Sequence, residues 1–166
     1  MAGALIVTAE LAAADHAWLD GLRRRHFPPE RNHLSAHLTM FHALPPSTET
    51  EARSRLSAAA RRPAPRAQIA GLMNLGGGVA YRVVSDELDA IRRDLAECFH
   101  GLLTAQDSGG WRPHVTVQNK VTSTAARALM EELERDFVAR PLAIAGLGLH
   151  RYLGGPWEPL GVYRFR

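Results

Sequence analysis

The 166-residue sequence has few cysteines, few aromatic residues and no long apolar run. Its one cysteine, Cys98, excludes an intramolecular disulfide and fits a reducing compartment, so we expect a cytoplasmic protein. No apolar run approaches the length of a membrane span, so no membrane association is expected. The formal net charge of +3 fits an anionic partner but is too small for a duplex-binding protein, which carries a dense basic face.

The rest of the composition is that of an ordinary globular protein. With 46% apolar and 22% charged residues, the chain can bury a core without disulfides or metals. Its length predicts a single domain over residues 1–166, and we expect a monomer.

Apolar spacing gives the order of secondary structure. Strands are predicted at 5–11, 37–44, 67–75, 78–84, 114–121, 142–152 and 161–165. Helices are predicted over 14–27, 48–61, 85–102 and 122–140, with a capping box at Thr48 and N-caps near Ser85 and Thr122. This order lacks a regular βαβα alternation and favours an α+β fold with largely antiparallel sheets.

A short polar motif occurs twice, about half a chain apart. Residues 37–40 read His-Leu-Thr-Met and residues 114–117 read His-Val-Thr-Val. On a strand, residues i and i+2 point to the same face, so each motif directs one imidazole and one hydroxyl together. A lone histidine on a strand is often a packing residue, but two such motifs on predicted strands indicate a site. If the two halves form similar lobes, four polar side chains converge on one groove.

These four side chains suit a phosphodiester. Hydrolysis of a cyclic phosphate needs a base that activates water and an acid that protonates the departing ribose oxygen. His37 and His114 can take these roles because the imidazole pKa is near neutrality. The hydroxyls of Thr39 and Thr116 can bind the non-bridging phosphate oxygens. The arrangement requires neither a metal nor a cofactor.

Three weaker candidates follow from the same reasoning. Lys120 shares strand parity with His114 and could bind a phosphate, or strand twist could carry it to solvent. Phe41 shares parity with His37 and could stack on a base, or could belong to a hydrophobic wall. Tyr152, with Trp157 across a Gly-Gly-Pro turn, could frame the mouth of the cleft or simply pack at the turn.

The paired motifs resemble those of the 2H phosphoesterases, the 2′-5′ RNA ligase and cyclic phosphodiesterase superfamily. Residues 37–45, 111–121 and 146–157 are similar to its bacterial 2′-5′ RNA ligase branch. The resemblance implies two pseudo-symmetric lobes of mostly antiparallel sheet with outer helices around a central cleft. It also implies His37 and His114 as the catalytic pair, Thr39 and Thr116 as the phosphate-binding pair, and an RNA end or nucleotide as substrate.

The direction of reaction stays open, since members hydrolyse 2′,3′-cyclic phosphates, cut or join 2′-5′ linkages, or act on cyclic ADP-ribose phosphates. Which histidine is acid and which is base is not set by the sequence. Two other classes stay open: a non-catalytic binder of RNA ends or nucleotides, and a metallohydrolase using several of the eight histidines. The metallohydrolase is disfavoured because the motif partner is threonine, a poor zinc ligand.

Overall fold

The computed structural model describes residues 3–166 and has the predicted α+β architecture. Its strands are β1 (Leu5–Leu11), β2 (Leu38–Leu44), β3 (Arg66–Asn74), β4 (Val79–Val84), β5 (His114–Gln118), β6 (Arg140–Tyr152) and β7 (Trp157–Arg164). Its helices are α1 (Ala13–His26), α2 (Glu49–Ala59), α3 (Asp86–Cys98), α4 (Ala105–Ser108) and α5 (Ser123–Arg135). Within residues 3–166, none of these helices is long and apolar enough to cross a membrane.

The seven described strands form one antiparallel sheet in the order β2-β1-β6-β3-β4-β5, with β7 also paired to β6. Strand β6 joins the two halves because its first residues pair with β3 and its later residues pair with β1 and β7. Leu147 and Leu149 of β6 are fully buried and belong to the hydrophobic core. The motif strands β2 and β5 are therefore the two ends of a sheet that passes through β6.

The helix starts follow the sequence signals in two of three cases. The hydroxyl oxygen of Ser85 accepts the N–H of Leu88 at α3, and that of Thr122 accepts the N–H of Ala125 at α5, as N-caps do. The capping box predicted at Thr48 is wrong. That hydroxyl donates instead to the Pro45 carbonyl in a short 3₁₀ turn, 2.7 Å away.

Some predicted boundaries also differ. Helix α3 ends at Cys98, so Leu102, predicted within this helix, is 45% exposed. The segment that follows forms the one-turn helix α4, which the apolar spacing does not predict. Strand β5 ends at Gln118 rather than 121, and β7 begins at Trp157 rather than 161.

Strand β2 contains an extra residue just after its motif. Thr39 lies opposite Thr8 of β1, and Phe41 lies opposite Val7, which leaves Met40 without a partner. Such a bulge shifts the register by one residue and reverses the inward–outward alternation. The side chain of Phe41 therefore lies on the face opposite to that of Thr39.

Strand β5 has the same irregularity at the same place in its motif. Thr116 lies opposite Ala80 of β4, and Gln118 lies opposite Val79, which leaves Val117 without a partner. The alternation is reversed here too, and Gln118 is 7% exposed. In both strands, the His-x-Thr pair thus lies on one face, and the inward–outward alternation is reversed after it.

Candidate functional site

Each His-x-Thr motif lies at the start of a strand with its apolar residues in the core. His37 immediately precedes β2, and His114 is the first residue of β5. Four interleaved apolar residues are fully buried: Leu38, Met40, Val115 and Val117. The histidines and threonines of both motifs remain partly exposed. The alternation predicted from the sequence is confirmed over the motifs themselves.

The two imidazoles are held in the same way. The Nδ1 atom of His37 lies 2.8 Å from the carbonyl oxygen of Ser35, and the Nδ1 atom of His114 lies 2.8 Å from that of Arg112. A carbonyl oxygen can only accept, so Nδ1 carries a proton in both rings. Each neutral ring therefore keeps its Nε2 lone pair free for chemistry, and each protonated ring can donate from Nε2.

The surroundings of His37 keep its ring neutral. Burial lowers the pKa of His37 to about 4, the hydrogen bond to Ser35 opposes this, and the nearby Arg23 guanidinium, with smaller contributions from His150 and His114, lowers it further. His37 is thus uncharged near pH 7 and can accept a proton. Strands β2 and β5, which carry the two motifs, also contact each other.

The indole ring of Trp157 packs against His37. The ring of Trp157 packs against that of His37 with centroids 4.7 Å apart, and against that of His150 with centroids 5.3 Å apart. His150 in turn lies 3.0 Å from the hydroxyl of Thr8 through its Nε2 atom. Burial lowers the pKa of His150, with the Glu10 carboxylate acting in the opposite direction. A third imidazole therefore lies behind the first motif.

Gly148 makes room for this cluster. A Cβ atom at that position would lie 2.6 Å from the Thr8 hydroxyl oxygen and 2.7 Å from a Glu10 carboxylate oxygen. Thr8 lies directly opposite Thr39 across β1 and β2, so their side chains are neighbours on the same face. The missing side chain at Gly148 thus keeps a concave floor beside the first motif.

A cavity of about 510 Å³ opens on the same side. His37, Trp157 and His150 line it, together with Glu10 and Arg164. His114 and the two motif threonines do not line this cavity, so it adjoins the first motif rather than spanning both.

The predicted base-stacking role of Phe41 is wrong. Its ring is fully buried and packs edge-on against Phe99, with centroids 6.4 Å apart, beneath the guanidinium of Arg92. The bulge at Met40 turns Phe41 into the core. The matching bulge places Gln118 there too, where its amide oxygen is buried without a hydrogen-bond partner among the described residues.

Lys120 and Tyr152 lie at the ends of strands. Strand β5 stops before Lys120, which has a positive φ of 64° and an exposed side chain, so strand parity does not determine where that side chain points. Tyr152 ends β6 opposite Trp157 and is partly buried. The ring that packs against the motif histidine is that of Trp157. Substrate binding by Lys120 or Tyr152 stays a prediction.

Three neighbours of the motifs escape sequence reasoning. The sequence leaves His150 undecided, favours a turn-packing role for Trp157, and gives no signal for Arg23. Residues on β1 and β6 come together only through strand pairing, and no local spacing reveals that pairing.

The acidic, histidine and cysteine side chains of residues 3–166 form no group of three or more arranged to hold a metal ion. Thr39 and Thr116, the partners of the motif histidines, are weak metal ligands. The side chains of the two motifs are imidazoles and hydroxyls, which suit proton transfer and hydrogen bonding to an anion.

Comparisons with known proteins identify the family. The model of the 2′-5′ RNA ligase superfamily matches residues 10–156. TT0787 of Thermus thermophilus has a TM-score of 0.66 at 16% identity over 98% of both chains. Escherichia coli LigT complexed with 3′-AMP has a TM-score of 0.59 at 16% identity over 99% of both chains. LigT complexed with NADP+ gives 0.54 at 19% identity over 99% of both chains.

These structural likenesses show a shared fold, and a search of curated proteins gives no match. The family match spans both motifs and most of the chain. The resemblance to the 2H phosphoesterases inferred from the paired motifs is confirmed. The chain belongs to the 2′-5′ RNA ligase superfamily.

Proposed function

We propose that the chain is a metal-independent phosphodiesterase that hydrolyses 2′,3′-cyclic phosphates or 2′-5′ phosphodiester bonds of RNA ends or nucleotides. His37 and His114 are its acid–base pair, and Thr39 and Thr116 bind the phosphate. The observation that carries the proposal is the matched setting of the two imidazoles. Both Nδ1 atoms are 2.8 Å from the carbonyl oxygen two residues earlier, at the start of strands that share the same bulge.

The lowered pKa of His37 supports this residue as the base in the proposed mechanism. Neutral at pH 7, His37 accepts at Nε2 a proton from water, whose oxygen attacks phosphorus. The bond from phosphorus to one ribose oxygen breaks, and that oxygen takes a proton from Nε2 of protonated His114. The proton gained by one imidazole equals the proton lost by the other, so solvent exchange restores the starting state.

The nucleotide part of the proposal draws on the relatives. The two LigT structures are complexes with 3′-AMP and with NADP+. These ligands support a nucleotide or RNA end as the substrate class here. Ligation is the reverse of cyclic-phosphate opening at the same groups, with a ribose hydroxyl in place of water, so joining of 2′-5′ linkages is the alternative activity of the same site.

The first prediction is that both motif histidines are required for turnover. The purified protein is assayed with 2′,3′-cyclic nucleotides, 2′-5′ oligoadenylate, ADP-ribose cyclic phosphate and RNA ending in a cyclic phosphate, each with and without EDTA. We expect His37→Ala and His114→Ala each to lower kcat at least about 100-fold, since general acid–base catalysis contributes roughly 10² to 10⁴. EDTA should leave the wild-type rate unchanged.

His100→Ala is the matched control, because His100 is exposed in the turn after α3 and belongs to neither motif. Full activity in either motif variant would refute the proposal. Tight nucleotide binding without turnover of any substrate would favour a non-catalytic binder. Loss of activity in EDTA with recovery on zinc would favour a metallohydrolase.

A further inference from the structure

A buried arginine of the first half reaches the motif of the second half. Arg23, in the last turn of α1, is 4% exposed. Its Nη1 donates to the carbonyl oxygen of Thr116 at 3.3 Å, and its Nε donates to Asn32 Oδ1 at 2.7 Å. The guanidinium also lies over the ring of Phe27, 4.3 Å from its centroid. Helix α1 thus holds the backbone of the second motif.

A second buried arginine makes the reciprocal contact. Arg92, on α3 of the second half, is 8% exposed. Its Nε donates to the carbonyl oxygen of Met40 at 3.1 Å, and its Nη2 donates to that of Asp107 at 2.7 Å. The guanidinium lies 4.2 Å from the ring centroid of Phe41. Helix α3 thus holds the backbone of the first motif.

A third contact links the two motifs more directly. The indole N–H of Trp111, three residues before His114, donates to the carbonyl oxygen of Thr39 at 3.1 Å. The Arg92 guanidinium lies 5.7 Å from the Trp111 ring. The segment that precedes the second motif is therefore hydrogen-bonded to the backbone of the threonine in the first motif.

Carbonyl partners rather than carboxylates hold the two guanidinium groups. Within residues 3–166, neither Arg23 nor Arg92 takes part in a salt bridge. Burial lowers the pKa of both arginines, while Asp20 and Asp107 act in the opposite direction. Burying a guanidinium without an ion-pair partner opposes folding, so a stability role alone accounts poorly for two of them.

We propose that Arg23 and Arg92 are positioning residues that set the separation and orientation of the two His-x-Thr motifs. Each lies on a helix of one half and fixes the motif strand of the other half through a backbone carbonyl. The inference rests on the proposed acid–base function of the motifs. A rigid guanidinium fork suits this task because its donors are fixed in one plane.

The second prediction is kinetic. Arg23→Met and Arg92→Met should lower kcat about 10- to 100-fold with little change in KM, because misplaced catalytic groups cost rate rather than ground-state binding. Their controls are Arg24→Met and Arg93→Met, the exposed neighbours on the same helices, which should retain wild-type kcat. Thermal unfolding shows whether each variant is folded. If a methionine variant does not fold, the lysine variant of the same arginine, Arg23→Lys or Arg92→Lys, is measured in its place.

The pH dependence separates the two arginines. The positive charge of Arg23 helps to lower the pKa of His37. In Arg23→Met, the apparent pKa of the acid limb of the kcat/KM profile should therefore rise toward neutral pH. In Arg23→Lys, which keeps the positive charge, this pKa should stay unchanged and only part of kcat should be recovered. Arg92→Met should lower kcat without moving the limb. A purely structural defect would not divide the two variants in this way.

NMR makes the test independent of turnover. Each substitution should shift resonances of the motif in the half that does not contain the arginine. Arg23→Met should shift the imidazole resonances of His114 and the amide resonance of Thr116, and Arg92→Met should shift those of His37 and Thr39. If the wild type turns over no substrate but these shifts occur, the proposed function fails and the positioning role stands. Wild-type kcat in the folded Arg23 and Arg92 variants, or equal losses in the controls, would overturn the inference.

Discussion

The charge state of His37 affects the stability of the protein as well as the proposed chemistry. In the unfolded chain this imidazole has its ordinary pKa of 6.5, and in the folded protein its pKa is lowered to about 4. Between these values the unfolded chain binds more protons than the folded one. The stabilisation associated with His37 is complete above pH 6.5 and is lost as the pH falls toward 4.

The third prediction follows from this difference. Between about pH 7.5 and about pH 4, the free energy of unfolding of the wild type should fall relative to that of His37→Gln by roughly 3 kcal/mol at most. Urea unfolding at a series of pH values measures the difference, with His100→Ala as control. A constant difference between wild type and His37→Gln across this range would show that the imidazole is not shielded from water.

At the scale of single residues, the sequence is informative where a side chain's role depends on its immediate neighbours. Alternation alone correctly assigns Leu38, Met40, Val115 and Val117 to the core. It cannot reveal Arg23, whose partner is the carbonyl of Thr116, because that hydrogen bond joins residues far apart in the chain and involves no side-chain pattern. Because every residue has a backbone carbonyl, the residue type does not reveal which carbonyl accepts a side-chain hydrogen bond.

At the scale of secondary structure, strand β2 lies at an end of the sheet but its outer edge is not left free. Both carboxylate oxygens of Asp107 accept the backbone N–H of His42 at 2.9 Å, and one also accepts that of Ala43. The Nδ1 atom of the His42 ring lies 3.1 Å from the same carboxylate. Burial raises the pKa of Asp107, but these hydrogen bonds outweigh it and lower the pKa overall. Asp107 thus takes the place of a neighbouring strand.

The fourth prediction tests this replacement. Asp107→Ala leaves two backbone N–H groups of β2 without their acceptor and should lower the free energy of unfolding by about 2–4 kcal/mol. Asp94→Ala, at an exposed position on α3, should change it by less than about 0.5 kcal/mol. Denaturant unfolding compares the two. A cost for Asp107→Ala no larger than that for Asp94→Ala would show that water satisfies these groups.

The error over Phe41 belongs to this scale. Parity within β2 is visible in its sequence, but the bulge depends on how β2 aligns with β1, where Val7 faces Phe41 and Thr8 faces Thr39. The same limit applies to β5 and β4. Strand positions and types are therefore largely predictable, while the face of any residue beyond the bulges is not.

At the scale of the whole molecule, β6 makes one sheet of two halves. Its later residues pair with both β1 and β7, its first residues pair with β3, and its Leu147 is fully buried. The paired motifs indicate two lobes that each carry one His-x-Thr pair. They do not predict that one strand passes through both, since that sharing depends on pairing between distant segments.

The fifth prediction concerns cooperativity. Because the halves share β6, we propose that they unfold together as one domain, with the same urea midpoint by tryptophan fluorescence and by far-UV circular dichroism. Leu147→Ala should lower the free energy of unfolding by about 2–5 kcal/mol. Both urea midpoints should fall by the same amount. Two separate transitions, or a shift in only one probe, would contradict a single cooperative unit.

The matched bulges also limit what the groove can accommodate. After Thr39 and Thr116 each strand turns its next side chain inward, as the burial of Phe41 and Gln118 records. Neither Phe41 nor Gln118 is therefore available to contact a ligand beside the motif threonines. If the motifs bind a phosphate as proposed, each offers it one ring and one hydroxyl, and a longer polynucleotide would have to present its terminus and leave the remaining nucleotides outside.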